Sequence, residues 1–261
     1  MIETGYRREW AIGFWTLTRR EVTRFLSLWK QTLFPAVLTP LLYILIFGEA
    51  LGSRIRLIDG FAYTEYILPG LAMMGIITSS YANSSSSLFM ARHEGYIDDV
   101  LIAPMSYWEV VLAYTIGAMV RGLTVGAVVL VVGLLFADLP MAHWMATAAF
   151  MVVVSALLSC AGLIMALWAE SWDHVMLLLN FLITPLVFLG GVFYSIHMLP
   201  PFWRGLSMFN PIFYMVNGLR YGVLGVADAS PLASFLLSAG LAAGLFGWTV
   251  YLFRTGYRLK S

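Results

Sequence analysis

The chain has 261 residues, of which 61% are hydrophobic and 11% charged, and its mean hydropathy is +0.84. A soluble domain carries about half apolar and a quarter charged residues, so a soluble globular enzyme is excluded first. A formal net charge of +1 gives no case for nucleic acid, and the single Cys160 excludes an intramolecular disulfide or a cysteine metal cluster.

The first thirty residues read as an amphipathic helix rather than a signal peptide. No uninterrupted apolar core follows the early arginines, and no small-residue cleavage site appears. At helical spacing Trp10, Phe14, Leu17, Val22, Phe25, Leu26 and Trp29 share one broad face, with Arg19, Arg20, Thr23, Arg24 and Ser27 opposite. Such a helix lies in the headgroup plane with its arginines toward anionic lipid. Residues 31–261 follow as one membrane domain.

Six spans are expected in that domain. Segments 144–169, 175–196 and 232–253 are long, apolar and free of charge, and each is long enough to cross a bilayer as a helix. Segment 110–137 is equally apolar but holds Arg121. Segment 66–91 starts apolar and ends in the polar run "YANSSSS", and segment 31–48 contains Pro35 and Pro40. With both termini in the cytoplasm, ten of the fifteen Lys and Arg residues fall inside. Arg54, Arg56, Arg204 and Arg220 fall outside, and Arg121 lies within a span. That bias supports the orientation.

Three places depart from a plain bundle. The first, "RHEGYIDDVLIAP" (92–104), is cytoplasmic by the charge count. Its acids Glu94, Asp98 and Asp99 face only Arg92, while Tyr96, Ile97, Val100 and Leu101 recur at helical spacing until Pro104 stops the helix. A short helix with an acidic face suits a cleft on a soluble subunit better than an anionic bilayer surface. The second place, 185–224, reads as a helix that enters the outer leaflet, turns and returns, or else as an extracellular loop with an amphipathic helix. Gly190–Gly191 allows close packing or a break, Pro200–Pro201 forces a turn, and Asn210–Pro211 starts a second short helix. The third is Arg121, an intramembrane charge that is costly unless paired or wet. Its candidate partners are Glu109, Glu170 and Asp173. The run from Asn83 to Ser87 either lines a wet path or cross-bonds helices.

Chemistry of the chain's own finds no support. Both lysines, Lys30 and Lys260, lack the preceding glycine that a phosphate-cradling P-loop needs. His93, His143, His174 and His197 are scattered, without zinc spacing. Asp98 and Asp99 are adjacent, so on a helix they do not face each other.

The residues resemble the ABC-2-type transporter permeases over nearly the whole length. The likeness runs through the amphipathic start, the block "ARHEGYIDDVLIAPMSYWEVVLAYTIGAMVRG" and the stretch "FLGGVFYSIHMLP…FNPIFYMVNGLR". The last is most specific: an aliphatic residue follows Pro211, Tyr214 stands three after that proline, and Arg220 six after the tyrosine. The small bacterial branch of nodulation-factor, drug and polysaccharide exporters is the most similar. The resemblance implies an all-α permease of six spans, working as a homodimer in the bacterial inner membrane with two copies of a separate cytoplasmic ABC ATPase. ATP and Mg would be bound by that partner, with no cofactor in this chain. The amphipathic helix and the 92–104 segment would couple the two subunits, and short re-entrant helices between spans five and six would lie near the exit. Spans two and five would line the path, making Asn83, Ser84, Asn180 and Thr184 its candidate lining residues. The cargo would be an amphiphile moved outward. Two other classes stay open: a non-transporting membrane scaffold, and an ion-coupled carrier, for which no mid-span carboxylate is evident.

Overall fold

The computed structural model describes residues 2–27, 29–52 and 57–259. Arg54, Arg56 and Lys260 of the charge count lie outside the described residues, and the side chains of Arg7, Arg8 and Trp10 are likewise not described. The described chain is almost wholly helical. Helix α1 (Ile2–Ser27) is followed by α2 (Trp29–Gly52), a two-residue antiparallel hairpin of β1 (Leu57–Ile58) and β2 (Phe61–Ala62), and α3 (Tyr63–His93). Then come α4 (Ile97–Ile102), α5 (Tyr107–Gly133), α6 (Trp144–Trp168), α7 (Trp172–Leu177), a π-helical stretch (Leu178–Ile183) and α8 (Thr184–Leu189). A 3₁₀ turn (Ile196–Met198), α9 (Pro201–Phe209), α10 (Pro211–Leu224) and α11 (Pro231–Thr255) complete it.

Five stretches among the described residues are long and apolar enough to cross a membrane: Trp29–Phe47, Tyr107–Gly133, Trp144–Trp168, Trp172–Leu189 and Pro231–Thr255. The expected second span, α3, has 31 residues and is roughly 46 Å long, but its serines, Asn83 and Glu65 keep it out of the apolar set. It is instead the axis of the molecule, packed by α5, α6, α10 and α2. Its polar run is buried: Ser80, Ser84 and Ser85 are fully covered, and Ser84 and Ser85 return their hydroxyls to carbonyls one turn back. Back-bonding of this kind satisfies a hydroxyl without water. Small side chains also let neighbouring backbones close in. A Cβ on Gly122 of α5 would strike Ser80, and one on Gly162 of α6 would strike Ser84. Small residues at helix seams take the place of the hydrophobic driving force that lipid cannot supply.

The fifth expected span ends early. Its helix runs from Trp172 to Leu189 and stops at Gly190, and Gly191 turns the chain with φ +77°. Midway it is π-helical, and the Thr184 hydroxyl donates to the carbonyl of Leu179 five residues back. Pro185, which lacks an N–H, follows at once. Residues 192–196 therefore belong to the turn and not to a span.

α1 packs on α5, but only part of its expected face is turned inward. Leu17, Phe25, Thr18 and Glu21 are buried, whereas Leu26 and Trp29 are exposed together with Ile12 and Trp15. The helix has a buried sector, a polar sector and a separate exposed apolar strip.

Candidate functional site

One end of the bundle gathers α1, α4 and the C-termini of α3, α6 and α11. Tyr96 precedes α4, and Gly95 before it adopts φ +80°. Ile97 and Val100 are buried in a second apolar cluster with Leu88, Val110, Leu163 and Phe253, while Glu94, Asp98 and Asp99 are exposed. Leu101 is half-buried and Pro104 exposed after the helix ends. The expected amphipathic helix with an outward acidic face is thus present.

Arg92 is the exception in this segment. Its guanidinium turns inward and donates to the carbonyls of Ala166 and Ala169 at the end of α6. These are carbonyls that a helix leaves unsatisfied. Arg258 does the same for the Trp168 carbonyl at 2.9 Å and pairs with Glu170 at 3.2 Å. Burial, then the charge of Arg258, holds Arg92 below the usual arginine range. Arg92 is a structural cap here and not part of the acidic surface.

Tyr96 joins α4 to α1, with the Arg20 guanidinium 5.2 Å above its ring. Burial raises its phenol, against the opposing charge of Arg20, so it stays protonated near neutrality. Behind it lies a polar junction that the sequence reading did not isolate. Glu21 is 1% exposed and takes an ion pair from Arg20 at 3.1 Å and a hydrogen bond from the Ser87 hydroxyl of α3. Arg24 donates to the backbone and side-chain oxygens of Asn83 at 3.0 and 3.1 Å, and Arg20 also reaches the Tyr114 hydroxyl of α5. The signal for Glu21 was its spacing: it falls on the line of Leu17 and Phe25, a carboxylate on the apolar stripe.

Arg121 lies in α5. Of its expected partners, Glu109 accepts the Ser106 N–H at 2.8 Å and closes the capping box of α5, and Glu170 is held by Arg258. Both are engaged at helix ends.

The opposite end carries the signature residues. Pro200 caps α9, and Asn210 caps α10 by accepting the Ile212 N–H at 3.0 Å, with Pro211 at the first helical position. The Asn210 amide donates to the Leu186 carbonyl at 2.6 Å. The Gly190 N–H bonds Val187 instead of Leu186, so Asn210 fills a vacancy left by the glycine break. Tyr214 ties back to the Met208 carbonyl at 3.0 Å. Arg220, 1% exposed, donates to the Gly191 carbonyl, lies 4.0 Å above the Tyr66 ring and pairs with Asp228 at 3.8 Å. Asp228 accepts from the Ser195 hydroxyl at 2.9 Å and the Ile196 N–H at 3.2 Å. Asn217 holds the 228–229 backbone through its carbonyl oxygen and Ser234 through its amide. Asp228 and Asn217 were not singled out in the sequence, although Asp228 is the only acid after Asp173.

The expected path-lining residues separate into two pairs. Asn83 and Ser84 are buried at seams inside the protomer. Asn180 is exposed on the π-helical stretch, and Thr184 borders a cavity of about 210 Å³ shared with Thr39 and Tyr43 of α2 and Thr78 of α3. Among the described residues no group of three His, Cys, Asp or Glu side chains is placed to hold a metal ion.

The sequence that builds these apolar helices around a polar axis matches a known family. The model of the family described as "ABC-2 type transporter" matches residues 12–224, and the chain belongs to that family. It is 44% identical over 216 residues to the "Inner membrane transport permease YadH" of Escherichia coli (strain K12), covering 83% of this chain and 84% of that one. It is 22% identical over 222 residues to "Nodulation protein J" of Rhizobium leguminosarum bv. viciae, covering 82% and 83% of the two chains. The same-named protein of Rhizobium meliloti (strain 1021) is 23% identical over 221 residues.

Proposed function

We propose that this chain is the permease subunit of an ATP-driven exporter of the bacterial inner membrane. In this reading it crosses the bilayer six times, with α3 as the second span and both termini in the cytoplasm. It works as a homodimer with two copies of a separately encoded ABC ATPase, which supplies the ATP and Mg sites. The carrying observation is α4, a short helix anchored by Ile97 and Val100 that presents Glu94, Asp98 and Asp99 outward. Family membership and the transport permease relative support the same reading.

The mechanism is alternating access. Closure of the ATPase dimer on ATP pushes α4, and Tyr96, Arg20 and Glu21 pass the displacement to α3 and α5. α2 and the Trp172–Leu189 stretch are among the least buried of the apolar helices. They suit the surface between two protomers, with the Thr39, Thr78 and Thr184 cavity beside it. At the far end α9 and α10 act as short re-entrant helices near the exit, with Arg220 and Asp228 fixing the turn. The cargo class is an amphiphile moved outward. Affinity purification of the tagged chain from its native membranes tests the assignment: an ABC ATPase recovered in equal amount is expected, and its absence from a folded, membrane-inserted preparation contradicts it.

A further inference from the structure

A groove of about 640 Å³ lies along α1 beside Tyr96. Its walls include Arg19, Arg20, Arg24, Thr23 and Ser27, with Glu21 at the base. The charges do not balance. Glu21 is the single acid against three arginines, and its oxygens are already shared by Arg20, Arg24 and Ser87. Arg24 spends one nitrogen on Asn83 and turns its Nε to Glu21 at 3.6 Å, an ion pair too long to be a hydrogen bond. Among the described residues Arg19 makes no ion pair. A concave site with two surplus positive charges and neighbouring hydroxyls suits a phosphate, since charge-assisted donors to phosphate oxygens are strong.

The source of that phosphate follows from position. The groove ends at Ser27, two residues before the first apolar stretch starts at Trp29. Trp15, Arg19, Val22 and Leu26 run along one line of α1, and Trp15 and Leu26 are 65% and 49% exposed. Arg19 thus stands between the cationic groove and an apolar strip. A ligand with an anionic head and an acyl tail satisfies both at once. An acidic protein segment arriving from the aqueous side would meet Glu94, Asp98 and Asp99 beside Tyr96 first.

We propose that this groove is a binding site for the phosphate headgroup of an anionic lipid in the leaflet that holds α1, with the acyl chain lying along Trp15 and Leu26. The site shares Arg20, Glu21 and Tyr96 with the proposed coupling route, but lipid binding is measured on the chain alone, so its failure leaves the transport reading intact. The test is native mass spectrometry of the detergent-solubilised full chain with phosphatidylglycerol, with phosphatidylcholine and with inorganic phosphate. Phosphatidylglycerol is expected to bind at least about tenfold more tightly than either other probe. Each surface arginine contributes ~1 kcal/mol to attraction of an anionic leaflet, so Arg19→Gln should weaken it about fivefold and Arg19→Gln with Arg24→Gln more than about twentyfold. Arg254→Gln, in the last turn of α11 at the same end of the bundle but outside the groove, should leave binding unchanged. Arg19 takes no part in the Glu21 pairs, so its variant reads the site even if Arg24→Gln fails to fold. Wild-type affinity in Arg19→Gln, an equal loss in Arg254→Gln, equal binding of inorganic phosphate, or occupancy by a co-purifying acidic protein in place of lipid would each overturn the proposal.

Discussion

Two buried carboxylates carry much of the polar order at the residue scale. Asp228 faces an arginine that is 1% exposed, and breaking a buried pair from one side costs about 3–5 kcal/mol. Asp228→Asn keeps the shape but removes the charge, so a loss near the lower end, about 3 kcal/mol, is expected in reversible detergent unfolding. Glu21 has partners that are 41% and 30% exposed. Solvent screening reduces the effect, and Glu21→Gln should cost about 1–2 kcal/mol. A neutral outcome for Asp228→Asn would mean that Arg220 is held by Tyr66 and Gly191 alone. Neither acid was found by reading the sequence, although their arginines are near in the chain, because the contacts that bury them come from afar: Ser87 lies 66 positions from Glu21 and Ser195 lies 33 from Asp228. Residues whose role is local fared better. Asn210 and Pro211 announce a helix start by type alone, and they make one.

Elements were legible wherever periodicity or a breaker marks them. α4 and α11 were expected close to where they stand, as was the fourth span, whereas the fifth was drawn through Gly190–Gly191, where the helix in fact stops. The Gly190 stop shortened the fifth span because a glycine pair reads equally as packing or as a turn, and only the neighbouring Asn210 decides between them. The inward turn of Arg92 was hidden for the same reason: its acceptors belong to α6. The acidic face of α4 leads to a direct expectation. Reversing Glu94, Asp98 and Asp99 to lysine should reduce recovery of the ATPase at least about tenfold from a chain that still folds and inserts, since all three are exposed. Unchanged recovery would move the docking surface elsewhere. The α10–α6 seam gives a second expectation. A side chain at Gly218 meets the Phe150 ring, so Gly218→Leu should destabilise by about 1–3 kcal/mol or more through overpacking, read as a lowered melting temperature. A tolerated leucine would contradict the close approach.

At the scale of the whole molecule, the proposed homodimer requires the exposed apolar faces to divide between lipid and a second copy. Phe181 on the π-helical stretch is 78% exposed and Leu236 on α11 is 60% exposed. If two protomers meet along α2 and Trp172–Leu189, Phe181→Cys cross-links to its counterpart in membranes and Leu236→Cys does not; the reverse pattern would put the dimer axis at α11. The most direct measurement is ATP hydrolysis by the ATPase in vesicles with and without the purified chain, beside transport by the chain alone. A severalfold stimulation by the chain, lost on reversing the acidic face of α4, is the predicted result. Complete transport by the chain alone, without nucleotide, would contradict the account.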